Sequence, residues 1–219
     1  MCLTGSTTLN HPTREPILSD RPQGLRERNR IRAREDILVA ISLLLGERPY
    51  AAISIDDIAQ RAGLSRGTVY AYFPEGRDQM VREAYLRVAE AVIAEGSARH
   101  DREAGAADRV LGFATALVGA ATTPEGRFYG LMGPDIMSAI ASVTGTSSRS
   151  FQQALSADLR DAAERGVLPK DAPVEEIAIA LSGAVREIGG VAARDPERVP
   201  QLLLGLRIIC DALLGSQSQ

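Results

Sequence analysis

Residues 55–73 constrain the fold more than any other part of the chain, because their apolar side chains are spaced for two short helices that cross closely. The shared inner side is formed by Ile55, Ile58, Ala59, Ala62, Val69 and Phe73. Ser54 is placed to cap the first helix, since its hydroxyl can accept a hydrogen bond from a backbone N–H that lacks a partner inside the helix. Ala59 leaves room for the crossing, and Gly63 tolerates the backbone angle that the connection requires. The sequence therefore predicts a helix-turn-helix.

The outer side of the second helix carries polar and aromatic residues, and Ser65 is placed to cap this helix. A helix of this kind is typical of a recognition helix, which enters the major groove of DNA. We expect Arg66 to reach a guanine or a phosphate, Gly67 to let the backbone approach closely and Ala71 to meet a thymine methyl group. The full set of contacts expected from the motif is Ser54, Ser65, Arg66, Gly67, Thr68, Tyr70, Ala71 and Tyr72. The alternative is an ordinary helical hairpin whose apolar positions only build a core.

Residues 54–74 read SIDDIAQRAGLSRGTVYAYFP, and this run closely resembles the DNA-binding segment of TetR-type transcriptional regulators. Residues 26–45 are similar to the first helix of that family. Apolar residues recur at helical spacing in this segment, which predicts one buried face against the helix-turn-helix. The residues expected on that face are Ile31, Ile37, Leu38, Ile41, Leu44 and Leu45.

Two departures from the family pattern are visible. Pro49 replaces the glycine that commonly precedes the aromatic residue at Tyr50, and the turn that follows the recognition helix is one residue longer, as Glu75-Gly76. The resemblance implies that Arg77 takes the place of a lysine that family members use against a DNA phosphate.

Positive charge gathers beside the motif, although the whole chain has a formal net charge of −3. Residues 21–34 contain six arginines and one glutamate, whereas the segment from residue 91 to the end contains twelve basic and sixteen acidic residues. We expect Arg26, Arg28 and Arg30 to contact DNA phosphates or to enter a narrow minor groove. The alternative is a solvated helix face.

Helical periodicity continues after the motif, and no strand-like alternation of useful length is present. Further helices are expected at residues 78–95, 106–121, 124–132, 135–143, 147–165, 173–194 and 196–214. We therefore predict an all-α fold. Its parts are a disordered N-terminal tail at residues 1–24, a three-helix DNA-binding domain with the helix-turn-helix at 25–76, and a helical ligand-binding and dimerisation domain at 77–219.

Composition favours a soluble helical protein, since apolar residues make up 45% of the chain and aromatic residues 4%. Cys2 and Cys210 lie at opposite ends and form no metal-ligand or disulfide pattern, which favours a reducing compartment. No apolar run approaches the length of about 18 residues that a membrane span needs, and the N-terminal segment lacks the pattern of a secretory signal. We expect a cytoplasmic protein with no cofactor, no metal site and no membrane partner.

The last two expected helices are strongly apolar, and the resemblance assigns them to a homodimer interface. The residues expected there are Ile177, Leu181, Ala184, Ile188, Val199, Leu202, Leu206, Ile209 and Leu213. Gly183, Gly189 and Gly190 each lower helix stability by about 1 kcal/mol, so we expect close approach of another helix. The alternative is a core within one chain. A dimer would place two recognition helices in successive major grooves about 34–36 Å apart, so the DNA operator should be an inverted repeat.

Large flexible and aromatic side chains gather in the middle of the chain, in helices that surround the inducer cavity of similar proteins. They are Phe113, Leu117, Phe128, Tyr129, Met132, Met137 and Phe151. This mixture suits an apolar pocket with adaptable walls and predicts a small-molecule effector. Arg127 and Arg186 are candidates for contact with an anionic group of the ligand. The alternative for each large side chain is an ordinary core position.

An enzyme is the main alternative from another functional class. The chain has two histidines, His11 and His100, and neither lies near a serine, cysteine or carboxylate arrangement that suggests a catalytic triad or a metal site. We therefore expect a dimeric DNA-binding repressor that is released by a small apolar molecule. A TetR-type activator, or a constitutive DNA-binding protein without an effector, is the alternative that keeps the fold.

Overall fold

A computed structural model describes residues 24–98 and 105–214, except for the side chains of Arg26 and residues 145–148. The expected tail before Gly24 and the turn containing His100 lie outside the described residues. The described residues contain nine α-helices and no strand, which confirms the all-α prediction. The helices are α1 (Leu25–Glu47), α2 (Ile55–Ala62), α3 (Arg66–Tyr72), α4 (Arg77–Ala98), α5 (Ala106–Thr122), α6 (Arg127–Gly130), α7 (Pro134–Glu164), α8 (Val174–Arg194) and α9 (Val199–Leu214).

The first helix of the predicted helix-turn-helix, α2, begins with a capping box at Ser54. The Asp57 N–H donates to Ser54 Oγ (3.1 Å), and the Ser54 N–H donates to Asp57 Oδ2 (2.8 Å), so each residue satisfies a backbone donor of the other. The bonds from Ser54, together with the nearby Arg48, lower the pKa of Asp57 to about 2. The carboxylate of Asp57 therefore stays charged at the positive end of the α2 dipole.

The turn between α2 and α3 depends on Gly63. Its φ angle is +67°, in the left-handed region that glycine adopts most readily. The following Leu64 N–H donates to the Ala59 carbonyl oxygen (2.9 Å), which ties the turn back to the end of α2. Ser65 then caps α3 by accepting from the Thr68 N–H (3.1 Å). The structure confirms the two capped helices joined at Gly63 that the sequence predicts.

Buried apolar side chains form two cores. The first core is built by α1 to α4 and also receives Phe128 from α6 and Ile136 and Ile140 from α7. The second core is built mainly by α5, α7, α8 and α9. Helix α4 reaches both, because Tyr85 and Ala89 are buried in the first core and Val92 packs against the second. The first core therefore extends beyond residue 76, where the sequence argument placed its domain boundary.

Three expectations about the elements were wrong. Residues 134–164 form the single helix α7 instead of two helices, because the weak helix formers around residue 145 lower helix propensity without blocking the backbone as a proline would. The helix expected at residues 124–132 is shortened to α6, since a turn that begins at Pro124 delays its start. Ile31 is 48% exposed, because the first turns of α1 extend past the core.

We predict that Gly63→Val lowers the free energy of unfolding by about 1–3 kcal/mol, because a β-branched residue resists a positive φ angle. Gly63→Asn is the matched control, since asparagine tolerates this conformation, and its loss should be clearly smaller. Urea unfolding followed by circular dichroism measures both. Equal stability of Gly63→Val and the wild type would show that the turn is not held as described.

Candidate DNA-binding surface and ligand cavity

The outer face of α3 is exposed and polar. Arg66, Gly67, Tyr70 and Ala71 are exposed, with Tyr70 at 41%. Its inner face is fixed by Val69, which is fully buried. The helix therefore presents side chains at the surface from a rigid base, as a recognition helix requires.

Two other predicted contact residues on α3 are half-buried. Thr68 Oγ1 lies 2.8 Å from Ser65 Oγ, so the two hydroxyls are hydrogen bonded at the start of the helix. Tyr72 packs against the first core. Ser54 and Ser65 are exposed, and both hydroxyls are also engaged in capping. These residues serve the fold of the motif as well as its surface.

Arg66 lies beside both the α2 side chain Asp56 and its own neighbour Tyr70. Its guanidinium is 3.3 Å from Asp56 Oδ2 and 5.8 Å from the centre of the Tyr70 ring. The side chains of Arg66 and Asp56 are 60% and 70% exposed. An ion pair this exposed contributes little to stability, so Arg66 remains available for another anion.

Arg34 of α1 fixes the end of α3, a role that its place in the basic segment did not indicate. Its guanidinium donates to the Tyr72 carbonyl oxygen (2.9 Å) and to the carboxylate of Glu83 on α4. It also lies 4.4 Å from the centre of the Phe73 ring. Arg34 therefore joins α3 to α1 and to α4 at one point.

Arg77 is also engaged within the chain. Its guanidinium donates to the carbonyl oxygens of Tyr50 and Ile53 and lies 4.8 Å from the centre of the Tyr50 ring. The Tyr50 hydroxyl in turn donates to Asp78. Burial and this bond to Asp78 raise the pKa of Tyr50. Arg77 therefore holds the segment before α2 against α4. The resemblance to family members with a phosphate-binding lysine did not indicate this role.

The basic residues at the start of α1 differ in their surroundings. Arg28 is exposed, and Arg30 forms an exposed pair with Glu27 (3.0 Å). The side chain of Arg26 lies outside the described part of the structure. Arg28 and Arg30 are therefore surface residues.

A cavity of about 670 Å³ lies between α4, α5, α6, α7 and α8. Six of the seven residues predicted from the sequence line it: Phe113, Leu117, Tyr129, Met132, Met137 and Phe151. The Phe113 and Phe151 rings meet edge to face with their centres 4.9 Å apart. The walls are mainly apolar, and polar groups enter from α7 and α8 with Gln152, Ser182 and Arg186. This volume and composition fit a small organic ligand.

Phe128 was wrongly assigned to the cavity. It is fully buried in the first core, whereas its neighbour Tyr129 lines the cavity and stacks on Tyr85 of α4 with ring centres 5.1 Å apart. Burial, followed by the interactions with Tyr85, raises the pKa of Tyr129. The apolar character of Phe128 predicts that its side chain is buried. It does not indicate whether the side chain lies in the first core or in the cavity wall.

Helix α6 packs directly against the backbone of α8. An ideal Cβ at Gly130 would lie 2.6 Å from the Gly189 carbonyl oxygen, and one at Gly190 would lie 3.1 Å from the Gly130 carbonyl oxygen. Arg127 Nε donates to the Ala193 carbonyl oxygen (3.0 Å), so this arginine is used in the same contact and does not line the cavity. The close approach expected at Gly189 and Gly190 exists within the chain, since a Cβ at Gly190 would meet α6 and a Cβ at Gly189 would meet Leu117 of α5.

Helices α8 and α9 expose an apolar surface formed by Ile179, Leu204, Ile208 and Ile209, each 56–61% exposed. Of these, only Ile209 was predicted. Gly183 and Gly205 border it, and a Cβ added at either would meet nothing within 4 Å. We call this the α8–α9 face. Single exposed apolar residues are common, but a group of four with room for close approach is typical of an interface.

The other residues predicted for an interface divide into two groups. Leu181 and Leu206 are buried in the second core, so their assignment to the interface was wrong. The helical repeat marks apolar faces without separating the side turned to the chain's own core from the side left exposed. The half-buried residues are Ile177, Ala184, Ile188, Val199, Leu202 and Leu213.

The described residues also bear on two other functional classes, membrane-spanning proteins and metal-binding proteins. No helix at residues 24–98 or 105–214 is long and apolar enough to cross a membrane. Among the same residues, no three histidine, cysteine, aspartate or glutamate side chains are grouped to hold a metal ion. Burial raises the pKa of Cys210 to about 11, so its thiol stays protonated at neutral pH and is a poor nucleophile.

The helix-turn-helix has recognisable relatives. Residues 37–84 match the family described as bacterial regulatory proteins, tetR family. These residues therefore form a DNA-binding segment of the TetR type. EthR, an HTH-type transcriptional regulator of Mycobacterium tuberculosis (strain ATCC 25618 / H37Rv), is 40% identical over 74 residues, which cover 31% of this chain and 33% of EthR. The match therefore spans about a third of this curated relative.

Two solved structures resemble the chain over most of its length. A transcriptional regulator from Rhodococcus sp. Rha1 has a TM-score of 0.66 at 19% identity, covering 83% of this chain and 95% of that protein. SmeT in complex with triclosan has a TM-score of 0.63 at 20% identity, covering 81% of this chain and 90% of SmeT. At these identities the likeness concerns the fold.

We predict that Arg34→Ala lowers the free energy of unfolding by about 1–2 kcal/mol, because the Tyr72 carbonyl and the Glu83 carboxylate lose a charged donor. The exposed Arg32→Ala is the control and should change it by less than about 0.5 kcal/mol. Chemical unfolding measures both. Equal effects of the two substitutions would contradict the anchoring role of Arg34.

We predict that Tyr70→Ala leaves stability and helix content close to those of the wild type, because Tyr70 is exposed and outside the core. If α3 is a recognition helix, the same change weakens binding to specific DNA by about 1–3 kcal/mol. Fluorescence anisotropy with a labelled duplex measures the affinity. The exposed Gln60→Ala on α2 is a control with little expected effect, and unchanged affinity of Tyr70→Ala would show that the recognition surface is misassigned.

Proposed function

We propose that this protein is a dimeric transcriptional repressor of the TetR type that binds an inverted-repeat operator and releases it when a small, largely apolar molecule fills the cavity. The observation that carries the proposal is the position of α4 and α6. Both helices line the cavity, and both contribute to the first core, which supports α3. A ligand in the cavity therefore touches the elements on which the orientation of the recognition helix depends.

The DNA-binding part of the proposal is supported by the exposed outer face of α3 and by its basic neighbour. Arg66 would exchange its weak pair with Asp56 for a phosphate or a guanine, while Thr68, Tyr70 and Tyr72 would contribute phosphate and base-edge contacts. The arginines at the start of α1 would add contacts to the backbone. The match to the TetR family over residues 37–84 supports the same role.

The dimer is supported by the α8–α9 face. Ile179 and Gly183 are four residues apart on α8, and Leu204 and Ile208 are four residues apart on α9, so each pair lies on one side of its helix. Pairing of this face with its copy across a two-fold axis would bury the four exposed side chains and bring the helices close at the glycines. The dimer would then present two recognition helices to two half-sites.

Release by a ligand requires that the ligand prefer one arrangement of the dimer over another. A ligand that binds the free protein and the DNA-bound protein equally well does not change the affinity for DNA, however tightly it binds. The shared helices give a physical reason for a preference, since filling the cavity changes the packing around Tyr129 and Tyr85 at the edge of the first core. Complex formation between SmeT and triclosan supports the presence of a small-molecule site in this fold.

Selection from sheared genomic DNA of the source organism tests the DNA-binding function and identifies the operator in the same experiment. Purified full-length protein should enrich fragments that share an inverted repeat, and Tyr70→Ala should lose that enrichment. Enrichment of no common sequence by the wild type would contradict operator-specific binding. A compound library is then tested against the enriched operator, and lack of any compound that weakens binding would favour a constitutive regulator.

We predict that Ile208→Glu converts the protein to a monomer, because a charged side chain would be buried against its symmetry mate. Val167→Glu is the matched control, since Val167 is 44% exposed and lies outside the α8–α9 face. Light scattering during size-exclusion chromatography gives the mass of each variant, and circular dichroism checks that helix content is kept. A dimeric Ile208→Glu would place the interface elsewhere.

A further inference from the structure

Two arginines of α8 line the cavity, and they differ in their partners. Arg194 lies near Glu187, with its Nη2 at 3.5 Å from Glu187 Oε1. Arg186 also lines the cavity, and no carboxylate of the described residues lies within 4 Å of it. Because the only acidic residue that the described part of the chain places in the cavity wall, Glu187, already faces Arg194, the charge of Arg186 has no counter-ion in that wall.

The positive charge of Arg186 acts on Tyr129, which also lines the cavity. It lowers the pKa of Tyr129, against the larger effects of burial and of Tyr85, which raise it. Tyr129 therefore stays a neutral phenol at neutral pH and supplies no negative charge of its own. The Arg186 guanidinium is thus close enough to affect the ionisation of the Tyr129 hydroxyl. The Arg186 side chain is also exposed, at the edge of the cavity.

Part of the cavity wall is apolar. Phe113 and Phe151 form an edge-to-face pair there, and Leu117 lines the same wall. Leu117 is held in place by α8, since an ideal Cβ at Gly189 would lie 2.9 Å from Leu117 Cδ2. A cavity lined by apolar side chains and by one cation without a counter-ion in the wall selects for a molecule with an apolar body and an anionic group, because the apolar body gains from burial and the charged group gains from pairing.

We infer that the effector of this cavity is an amphiphilic anion, such as a carboxylate with an apolar chain, whose headgroup pairs with Arg186 and whose apolar body lies against Phe113, Leu117 and Phe151. This inference rests on the proposed ligand-binding function and specifies its ligand class. A guanidinium can bind a carboxylate through two parallel hydrogen bonds, which a neutral headgroup cannot match. Arg186 is then a specificity-determining residue.

Isothermal titration calorimetry of the full-length dimer with decanoate and with decan-1-ol tests this inference, because the two probes share one chain and differ in headgroup charge. The wild type should bind decanoate at least about tenfold more tightly. Arg186→Gln should lose that preference through weaker decanoate binding, while its affinity for decan-1-ol stays the same and shows that the cavity is intact. Arg194→Gln is the matched control and should keep the preference.

Three results would overturn the inference: equal affinities of the wild type for both probes, a preference that survives Arg186→Gln, or binding of neither probe. Operator release is measured separately. Arg186-dependent binding of decanoate without a change in operator affinity would support the ligand class and contradict ligand-controlled release. Release by decan-1-ol and decanoate alike, in the wild type and in Arg186→Gln, would support the regulator and overturn the role of the headgroup.

Discussion

One short helix, α6, contributes both to the first core and to the cavity wall, so its position affects both parts of the structure. Phe128 and Tyr129 are adjacent in the chain, yet Phe128 is fully buried in the first core and Tyr129 lines the cavity. Gly130 then packs against the backbone of α8 without room for a Cβ. Since protein interiors are close-packed, α6 has little freedom to move without disturbing the cavity, the helix-turn-helix core or both.

This arrangement gives the proposed ligand-controlled DNA binding a physical basis. Helix α4 also contributes to both parts, because Tyr85 stacks on Tyr129 at the cavity while Met80 is buried in the first core, to which α2 and α3 also contribute. Arg34 then fixes the end of α3 to Glu83 of α4. A change in the cavity can therefore reach the recognition helix through packed side chains and one charged anchor, provided that the ligand favours one arrangement over another.

The sequence predicted features that depend on local rules and missed those that depend on which surfaces meet. The cap at Ser54 and the turn at Gly63 follow from neighbouring residues, and both were predicted correctly. Six cavity residues were also placed correctly by resemblance. The destination of Phe128, and the burial of Leu181 and Leu206 within the chain, could not be predicted, because hydrophobicity indicates burial without naming the partner. The anchoring role of Arg34 depends on a contact 38 residues away in sequence.

We propose that the position of α6 sets the affinity for DNA, and the operator affinity of Gly130→Ala tests this without a ligand. The added methyl group would collide with the Gly189 carbonyl oxygen and push α6 away from α8. We expect weaker operator binding by a protein that remains helical and dimeric, whereas Gly119→Ala, where a Cβ meets nothing within 4 Å, keeps wild-type affinity. Wild-type affinity of Gly130→Ala, with reduced stability showing that the collision occurred, would contradict the claim.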